Sequence, residues 1–334
     1  MIYNGFILGA LQIKENDGLF TFSRFNKNQE NLFSMRGESV VLRSCCTACV
    51  KIEFYTKGGE ISFDYEISPG INRKYYSIDL LVDKVYKYSL SKDKNEDCDT
   101  FKYYIPESEK EQRVTVYFPT TACMKIKNLK LPADALPHRR KEKILVLGDS
   151  LYQGYNPNHF QNTCMNILAD FYDAEMINQA IGGDCFDKGN LDKIDFEPDF
   201  IIVGYGINDW ISGCFRNGEN AKAYFERLNK IYPETLTFVI LPPNIDYLES
   251  TRKNDDLLFE VDNDDFTNQS IEDVRNILLE IVTDYKNIIP INAKDFVPQY
   301  SECFYSDNVH LTDFGNYIFG NAIAREIQKY YTKS

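Results

Sequence analysis

The amino-acid sequence predicts two domains of different fold class, an all-β sandwich followed by an α/β domain with a parallel sheet. Short alternating apolar runs fill the first 130 residues or so. From Lys143 onward, near-continuous runs of Ile, Leu and Val instead alternate with longer segments of helical period. The length of 334 residues agrees with this division, because a typical domain has about 150 residues.

The N-terminal runs are the predicted strands of the sandwich. Turn-forming pairs such as Gly58-Gly59 and Pro69-Gly70 separate some of them. The runs are NLFSM, SVVLR, VKIEFYT, EISFDYEI, YYSIDLLVD, KVYKYSL, TFKYYI and RVTVYF. Several strands at such short spacing are typical of a β-sandwich.

The C-terminal runs predict a parallel sheet that is buried on both faces. The predicted strands are 143–148, 175–181, 200–206, 236–242 and 287–293, and the predicted helices are about 159–172, 217–230, 269–286 and 311–331. Continuous apolar strands require cover on both sides, which crossover helices supply. The intervening segment LPADALPHRRKEK has two prolines and a basic cluster. We therefore predict a sandwich domain at 1–137 and an α/β domain at 138–334.

A carboxylate-rich segment at 244–268 follows the fourth predicted strand and has little periodicity. It leaves the carboxyl end of a parallel strand, where α/β proteins build their sites. Two interpretations stay open, a solvated surface loop and a lid or pocket wall.

Charge and hydropathy exclude several functional classes. With 37 Lys+Arg against 50 Asp+Glu, the formal charge is -13, so nucleic acid is not expected as a partner. No apolar run approaches the roughly 20 residues that span a bilayer, and the N-terminus lacks the basic residues of a signal peptide. With nine cysteines expected to be reduced thiols, we predict a cytoplasmic protein, or a secreted one whose leader has been removed.

The first junction of the α/β domain reads Gly148-Asp149-Ser150 and comes directly after a strand. A serine there faces the crevice and has backbone N–H groups beside it, which suits a nucleophile. Asp149 is placed to accept local backbone hydrogen bonds that support this loop. By itself the tripeptide is a weak signal, since serine is also a common helix cap.

Later junctions supply the partners that a serine nucleophile needs. The chain has three histidines, and of these His310 has a carboxylate, Asp307, three residues before it. Serine requires a base within hydrogen-bond reach and a third group that orients the base, so Ser150, His310 and Asp307 form a candidate triad. Asn208 follows the third strand and brings a side-chain amide to the same edge.

The second strand ends in Gly182-Gly183, where absent side chains allow backbone N–H groups to approach a ligand. The N–H groups of Gly183 and Ser150 and the amide of Asn208 could converge on one oxyanion. Gly182 and Gly183 are adjacent, so the sequence leaves the donor uncertain by one residue.

These blocks, taken in order, resemble those of the SGNH, or GDSL, hydrolases. The resemblance rests on Gly148-Asp149-Ser150-Leu151 with Gly154, then Gly183, then Gly206-Ile207-Asn208-Asp209, then Asp307-Asn308-Val309-His310. It implies a flavodoxin-like sheet of order 2-1-3-4-5 with helices on both faces. It also implies ester hydrolysis with Ser150 as nucleophile, His310 as base and Asp307 as its orienting acid, with an oxyanion hole from Ser150, Gly183 and Asn208.

The N-terminal region is similar to the β-sandwich domains that precede this catalytic domain in some bacterial members, including two-domain carbohydrate esterases. This second resemblance rests on weaker matches, chiefly SIDLLV at 77–82 and VTVYFP at 114–119. It implies a jelly roll.

Other polar and aromatic residues have less specific interpretations. Trp210 could line the acyl or sugar pocket or pack in the core, and His159 and His138 are expected at the surface, in packing or in the linker. Cys46 and Cys49 have the spacing of metal ligands but lack a second pair. We therefore expect neither a metal nor a cofactor.

The leading functional hypothesis is a serine esterase that removes a short acyl group, acetyl by resemblance, from a carbohydrate or another small hydroxylated molecule. Alternatives are a lysophospholipase or arylesterase with the same triad, a catalytically silent carbohydrate-binding protein, and a metal-dependent hydrolase. The acidic segment argues against an anionic or membrane-bound substrate. The sequence gives no oligomeric state.

Overall fold

The N-terminal part of the protein is a sandwich of two antiparallel sheets, as seen in a computed structural model that describes residues 5–70, 73–94, 96–245 and 269–332. One sheet has the order β1-β4-β9-β6-β7 with β11 beside β4, and the other has the order β2-β3-β10-β5-β8. The strands are β1 (Ile7–Leu8), β2 (Gln12–Asn16), β3 (Leu19–Ser23), β4 (Lys51–Thr56), β5 (Gly59–Pro69), β6 (Tyr76–Val82), β7 (Val85–Lys92), β8 (Asp97–Ile105), β9 (Gln112–Tyr117), β10 (Ala122–Lys130) and β11 (Leu136–Pro137).

Strands β3 to β10 follow the path of a jelly roll. Four of them form β3-β10-β5-β8 in one sheet, and the other four form β4-β9-β6-β7 in the opposite sheet. The first and last of the eight strands are thus neighbours, as two interlocked Greek keys require. The inner faces enclose an apolar core that includes Phe54, Phe63 and Val116. The predicted sandwich and its jelly-roll form are confirmed.

Two of the predicted strands are wrong, because residues 31–35 and 39–43 are helical. They lie in α1 (Lys27–Arg36) and α2 (Glu38–Cys45), which follow β3 and precede β4. The side chain of Asn26 accepts the N–H of Gln29, and the Gln29 side chain accepts the N–H of Asn26, which forms a capping box. Gly37, with φ of +123°, separates the two helices in a conformation that few other residues adopt.

The C-terminal part contains a five-stranded parallel sheet. Its strands are β12 (Glu142–Gly148), β13 (Ala174–Asn178), β14 (Phe200–Gly204), β15 (Leu236–Leu241) and β16 (Ile288–Asn292). The order β13-β12-β14-β15-β16 corresponds to 2-1-3-4-5 within this domain, and every pair is parallel. The predicted strands and their flavodoxin-like order are confirmed.

Helices cover both faces of the parallel sheet. They are α3 (Ser150–Gln153), α4 (Cys164–Tyr172), α5 (Ile207–Ile211), α6 (Glu219–Ile231), α7 (Ile271–Val282) and α8 (Asp313–Ile327). Alternate residues of β12 divide between the two faces, since Ile144 and Val146 pack with α4 and α8 while Leu145 and Leu147 pack with α6 and α7. The strand is therefore apolar at nearly every position because both of its faces are core.

The predicted boundary at residue 137 falls at the end of β11, which still pairs with the sandwich strand β4. The first parallel strand, β12, comes next, and the boundary stays a prediction.

Residues 246–268 of the acidic segment lie outside the described residues, so both interpretations of it stay open. Across the described ranges, no helix combines the length and apolarity that a bilayer span requires.

The helical assignment of residues 27–36 predicts opposite effects for two apolar side chains that a strand would place on one face. Phe33 is 1% exposed and packs edge-on against Phe25, whereas Met35 is 79% exposed. We expect Phe33→Ala to lower the free energy of unfolding by about 3–5 kcal/mol. Met35→Ala should change it by less than about 0.5 kcal/mol. Urea unfolding of both variants makes the comparison, and equal losses would contradict the helix.

Candidate active site

Ser150, His310 and Asp307 form a continuous chain of hydrogen bonds at the carboxyl edge of the parallel sheet. The Nε2 atom of His310 lies 2.8 Å from the Oγ atom of Ser150, and its Nδ1 atom lies 2.8 Å from Oδ2 of Asp307. Ser150 opens α3 directly after β12, while Asp307 and His310 occupy the turn before α8. The structure thus brings together three residues that are separated by up to 160 positions.

The turn itself fixes the orientation of Asp307. Its Oδ1 atom accepts the backbone N–H groups of Val309 and His310, at 3.0 and 2.9 Å, which leaves Oδ2 for the imidazole. Burial opposes ionisation of this carboxyl, but the hydrogen bonds and charge of His310, together with the backbone donors, lower its pKa to about 2. Asp307 is therefore a carboxylate near neutral pH, and the Nδ1 atom of His310 carries the proton that it accepts.

The loop that carries Ser150 is tied down by Asp149. The Asp149 side chain caps α3 by accepting the N–H of Leu151 at 3.0 Å, and its own N–H donates to the carbonyl of Gly204. Ser150 occupies the first turn of α3, where the helix itself offers its N–H no acceptor. Burial raises the pKa of Asp149 to about 8, and the charges of Asp209 and Asp184 add to this effect.

Residues 180–184 follow β13 and are called here the oxyanion loop. Within this loop, the N–H groups of the two adjacent glycines have different hydrogen-bond partners. The N–H of Gly182 donates to Oε1 of Gln153 at 2.7 Å. The N–H of Gly183 has no hydrogen-bond partner within the described residues. Gly183 has a φ of +77°, in the left-handed region that favours glycine. Of the two adjacent groups, that of Gly183 is the one available to a ligand.

The side chain of Asn208 joins the third strand junction to this loop. Its Nδ2 atom donates to the carbonyl of Asp184 at 2.9 Å. An amide nitrogen has two donors; one N–H of Asn208 anchors the loop, and the second has no partner among the described residues. Asp184 is held in turn by Arg36 of α1, at 2.7 Å from its Oδ1 atom.

The N-terminal domain also holds the oxyanion loop from outside. Arg24 is 1% exposed, and its guanidinium donates to backbone carbonyls on both sides of the domain interface: Arg43, Ser44 and Cys46 on one side, Asn178 and Ala180 on the other. Phe25 and Phe33 pack against Ile181. The loop is therefore positioned jointly by both domains.

Comparison with known proteins identifies the chain. The model of the GDSL-like lipase/acylhydrolase family matches residues 146–318, which is just over half of the chain. The protein belongs to this GDSL family. It is accordingly a carboxylic ester hydrolase, as the motif resemblance implies. No curated protein matches the sequence significantly.

Solved structures share the fold of this GDSL-family member at low sequence identity. The salicylyl-acyltransferase SsfX3 from a tetracycline biosynthetic pathway has a TM-score of 0.76 at 16% identity, covering 97% of this chain and 94% of its own. A family two carbohydrate esterase from Clostridium thermocellum, in complex with cellohexaose, has a TM-score of 0.59 at 14% identity, with 84% and 91% covered. An acetyl xylan esterase from the rumen bacterium Butyrivibrio proteoclasticus has a TM-score of 0.57 at 12% identity, with 84% and 90% covered.

The remaining candidate residues of this GDSL-family protein lie outside the triad. Trp210 is 2% exposed within the α6–α7 face of the core, and its Nε1 atom donates to the carbonyl of Gln269, a location that favours packing over a pocket role. His159 contacts Asp79 of the sandwich, and His138 lies 2.8 Å from Asp173. Cys46 and Cys49 are buried, and the described residues hold no group of three or more side chains arranged to bind a metal ion.

Several residues that shape the site have no signal in the sequence motifs. The ring of Tyr155 stacks on His310 with centroids 5.3 Å apart, and Asn156 donates to Asp307 at 3.3 Å. Both follow Ser150 closely in the sequence, so their proximity to the serine block is a signal that could have indicated them. Arg24 and Arg43 lie more than 100 residues before the catalytic blocks, and no local pattern marks them.

The buried carboxyl of Asp149 predicts a pH dependence of stability. The unfolded carboxyl ionises near its ordinary pKa of 3.8, whereas the folded one holds its proton to about pH 8. As pH rises, the unfolded state therefore loses the proton first, so this group destabilises the folded state between these two pH values. The equilibrium constant for folding falls by at most about tenfold per pH unit. We expect Asp149→Asn, which keeps an acceptor for Leu151, to lose less stability than wild type between pH 5 and pH 8. Denaturant midpoints at the two pH values test this, and parallel slopes would contradict it.

Proposed function

We propose that this protein is a serine esterase in which Ser150 is the nucleophile, His310 the general base and Asp307 the acid that orients the base. The observation that supports this assignment best is the unbroken hydrogen-bond chain from Asp307 through His310 to Ser150, with both links at 2.8 Å. A serine nucleophile needs a base within hydrogen-bond reach and a third group that orients the base.

The geometry supports a two-step acyl transfer. With Nδ1 donating to the Asp307 carboxylate, Nε2 of His310 accepts the proton of the Ser150 hydroxyl as Oγ attacks the ester carbonyl. The protonated imidazole then donates to the leaving alcohol, which leaves the acyl group on Ser150. Water, deprotonated by the same nitrogen, releases the acid and restores the serine.

Three donors are proposed to stabilise the negative oxygen that forms in each step. They are the N–H groups of Ser150 and Gly183 and the second amide proton of Asn208. The bond from Asn208 to the Asp184 carbonyl holds the side chain beside the loop before substrate arrives. Such preorganised donors act where charge develops in the transition state and need no rearrangement.

The proposed substrate is a short-chain ester, probed first as acetate, of a carbohydrate or another small hydroxylated molecule. Support comes from two neighbours of the same overall fold, the carbohydrate esterase in complex with cellohexaose and the acetyl xylan esterase. Both likenesses cover 84% of this chain. A comparison of 4-nitrophenyl acetate with longer-chain esters separates this proposal from a lysophospholipase, which requires a long acyl chain.

Replacing the triad residues should remove hydrolysis. We expect Ser150→Ala and His310→Ala each to lower kcat for 4-nitrophenyl acetate by about three orders of magnitude or more, because proton transfer and attack share one unit. His159→Ala is the matched control, since His159 contacts Asp79 of the sandwich instead, and should retain activity. If the wild type turns over no ester faster than Ser150→Ala does, the esterase proposal is wrong. A folded but inactive His159→Ala would show that the base is wrongly assigned.

Asn208 provides a separate test of the oxyanion hole. Removing one oxyanion donor lowers kcat by about 10²–10³ in other hydrolases, and we expect Asn208→Ala to show a loss of that order with little change in KM. Ser212→Ala is the control, because its hydroxyl bonds to the Asn208 carbonyl at the end of the same helix. Equal losses in both variants would show that helix integrity, and not the amide donor, is responsible.

A further inference from the structure

Arg43, on helix α2 of the N-terminal domain, brings a guanidinium group to the oxyanion loop. Its Nη1 atom donates to the carbonyl of Gly182 at 2.8 Å. A Cβ atom placed on Gly183 would lie 2.7 Å from the same nitrogen. The half-buried Arg43 therefore lies directly beside the residue that offers the free N–H.

This guanidinium has no ion-pair partner among the described residues, whereas that of Arg36 has one. Arg36, in the same pair of helices, bonds to Asp184 at 2.7 Å. A guanidinium has five N–H donors, and for Arg43 one side-chain bond, to Gly182, is formed within the described part of the chain. The cation thus retains donors that a ligand can use.

Tyr155 connects the proposed base to the loop that Arg43 contacts. One side of this tyrosine stacks on His310, and its phenol end lies against Gly182, since a Cβ there would be 2.3 Å from the hydroxyl oxygen. The charge of Arg43 also acts on Tyr155, lowering a pKa that burial raises well above its ordinary value. Tyr155 therefore contacts His310 through its ring, and its phenol end and the Arg43 guanidinium both lie against Gly182.

We propose that Arg43 binds a carboxylate of the substrate, so that preferred substrates are esters with a negative charge close to the scissile bond. Acylated acidic sugars are one such class. This inference rests on the esterase function proposed above. A guanidinium binds a carboxylate through two parallel hydrogen bonds, and partial burial strengthens the attraction. A chain of net charge -13 repels anions at long range, so a local cation is needed to hold an acidic substrate.

Two matched pairs of esters test the proposal, each differing in charge but hardly in shape. On the acyl side, 4-nitrophenyl hydrogen glutarate is compared with its neutral amide, 4-nitrophenyl 4-carbamoylbutanoate. On the alcohol side, 4-acetoxybenzoate is compared with 4-acetoxybenzamide. The wild type should favour the carboxylate member of at least one pair by about tenfold in kcat/KM, the effect of a charge-assisted hydrogen bond. The pair that shows the preference tells which side of the ester carries the anion.

Variants assign the preference to Arg43. We expect Arg43→Gln to bring the ratio of kcat/KM within the pair close to one, and Arg43→Lys, which keeps the charge but loses the planar fork, to give an intermediate ratio. Arg325→Gln changes the net charge equally at an exposed position on α8, and should keep the wild-type ratio. If Arg43→Gln does not fold, the ratio of kcat/KM in Arg43→Lys is compared with the wild-type ratio, and a lower ratio in Arg43→Lys supports the proposal.

The remaining outcomes overturn the inference. Hydrolysis of both members at equal rates by the wild type contradicts it, as does a preference that survives in Arg43→Gln. Equal loss on charged and neutral esters in Arg43→Gln would limit the residue to positioning the Gly182 carbonyl. If the wild type hydrolyses no ester faster than Ser150→Ala does, both the proposed function and this inference are wrong.

Discussion

The buried charge of Arg24 is the constraint on which the arrangement of the active site depends. A guanidinium that is 1% exposed must have its donors satisfied, because burial of an unpaired charge is very unfavourable. Here backbone carbonyls, and no carboxylate within the described residues, serve as the acceptors, and they come from the end of α2 and from the exit of β13. Burial accordingly lowers the pKa of Arg24, although nearby cysteines partly offset the effect. Any displacement of the oxyanion loop would leave these donors unsatisfied, so the loop is held in one place.

A second set of contacts couples the N-terminal domain to the triad. Arg73 donates to the carbonyls of Asn156 and Pro157, and Asn156 in turn reaches Asp307. Deeper in the interface, the side chain of Arg140 is fully buried and pairs with Glu53 of β4 at 2.6 Å. Glu53 also pairs with Arg113 at 2.8 Å, and Arg140 with Asp170 of α4 at 2.7 Å, so a network of charges joins the sandwich to the α/β domain. The sandwich is thus a structural part of the candidate active site.

The sequence was sufficient for the parallel sheet and for the placement of Ser150, Asn208 and His310. Ser150 and Asn208 follow the ends of β12 and β14, and His310 lies in the connection from β16 to α8. The carboxyl ends of parallel strands meet at one edge, so the order of the motifs along the sheet predicts their proximity. The helices α1 and α2 were missed because alternation over five residues fits both a strand and part of a helix. Longer-range signals, the capping box at Asn26 and the break at Gly37, are what separate the two. Arg24 and Arg43 could not be found, since their role arises from domain packing, which no local pattern encodes.

The jelly-roll connectivity has a consequence for the order in which the protein assembles during synthesis. The last strand of the sandwich, β11, ends at Pro137, so the sandwich is complete before the first parallel strand begins at Glu142. Asn178 lies more than 130 residues beyond Cys46, a delay of about ten seconds at ribosomal rates. Throughout that interval Arg24 lacks its partners on β13, and water must solvate those donors. This water is lost when the two domains dock. The oxyanion loop therefore reaches its final position late, against a sandwich that has already folded.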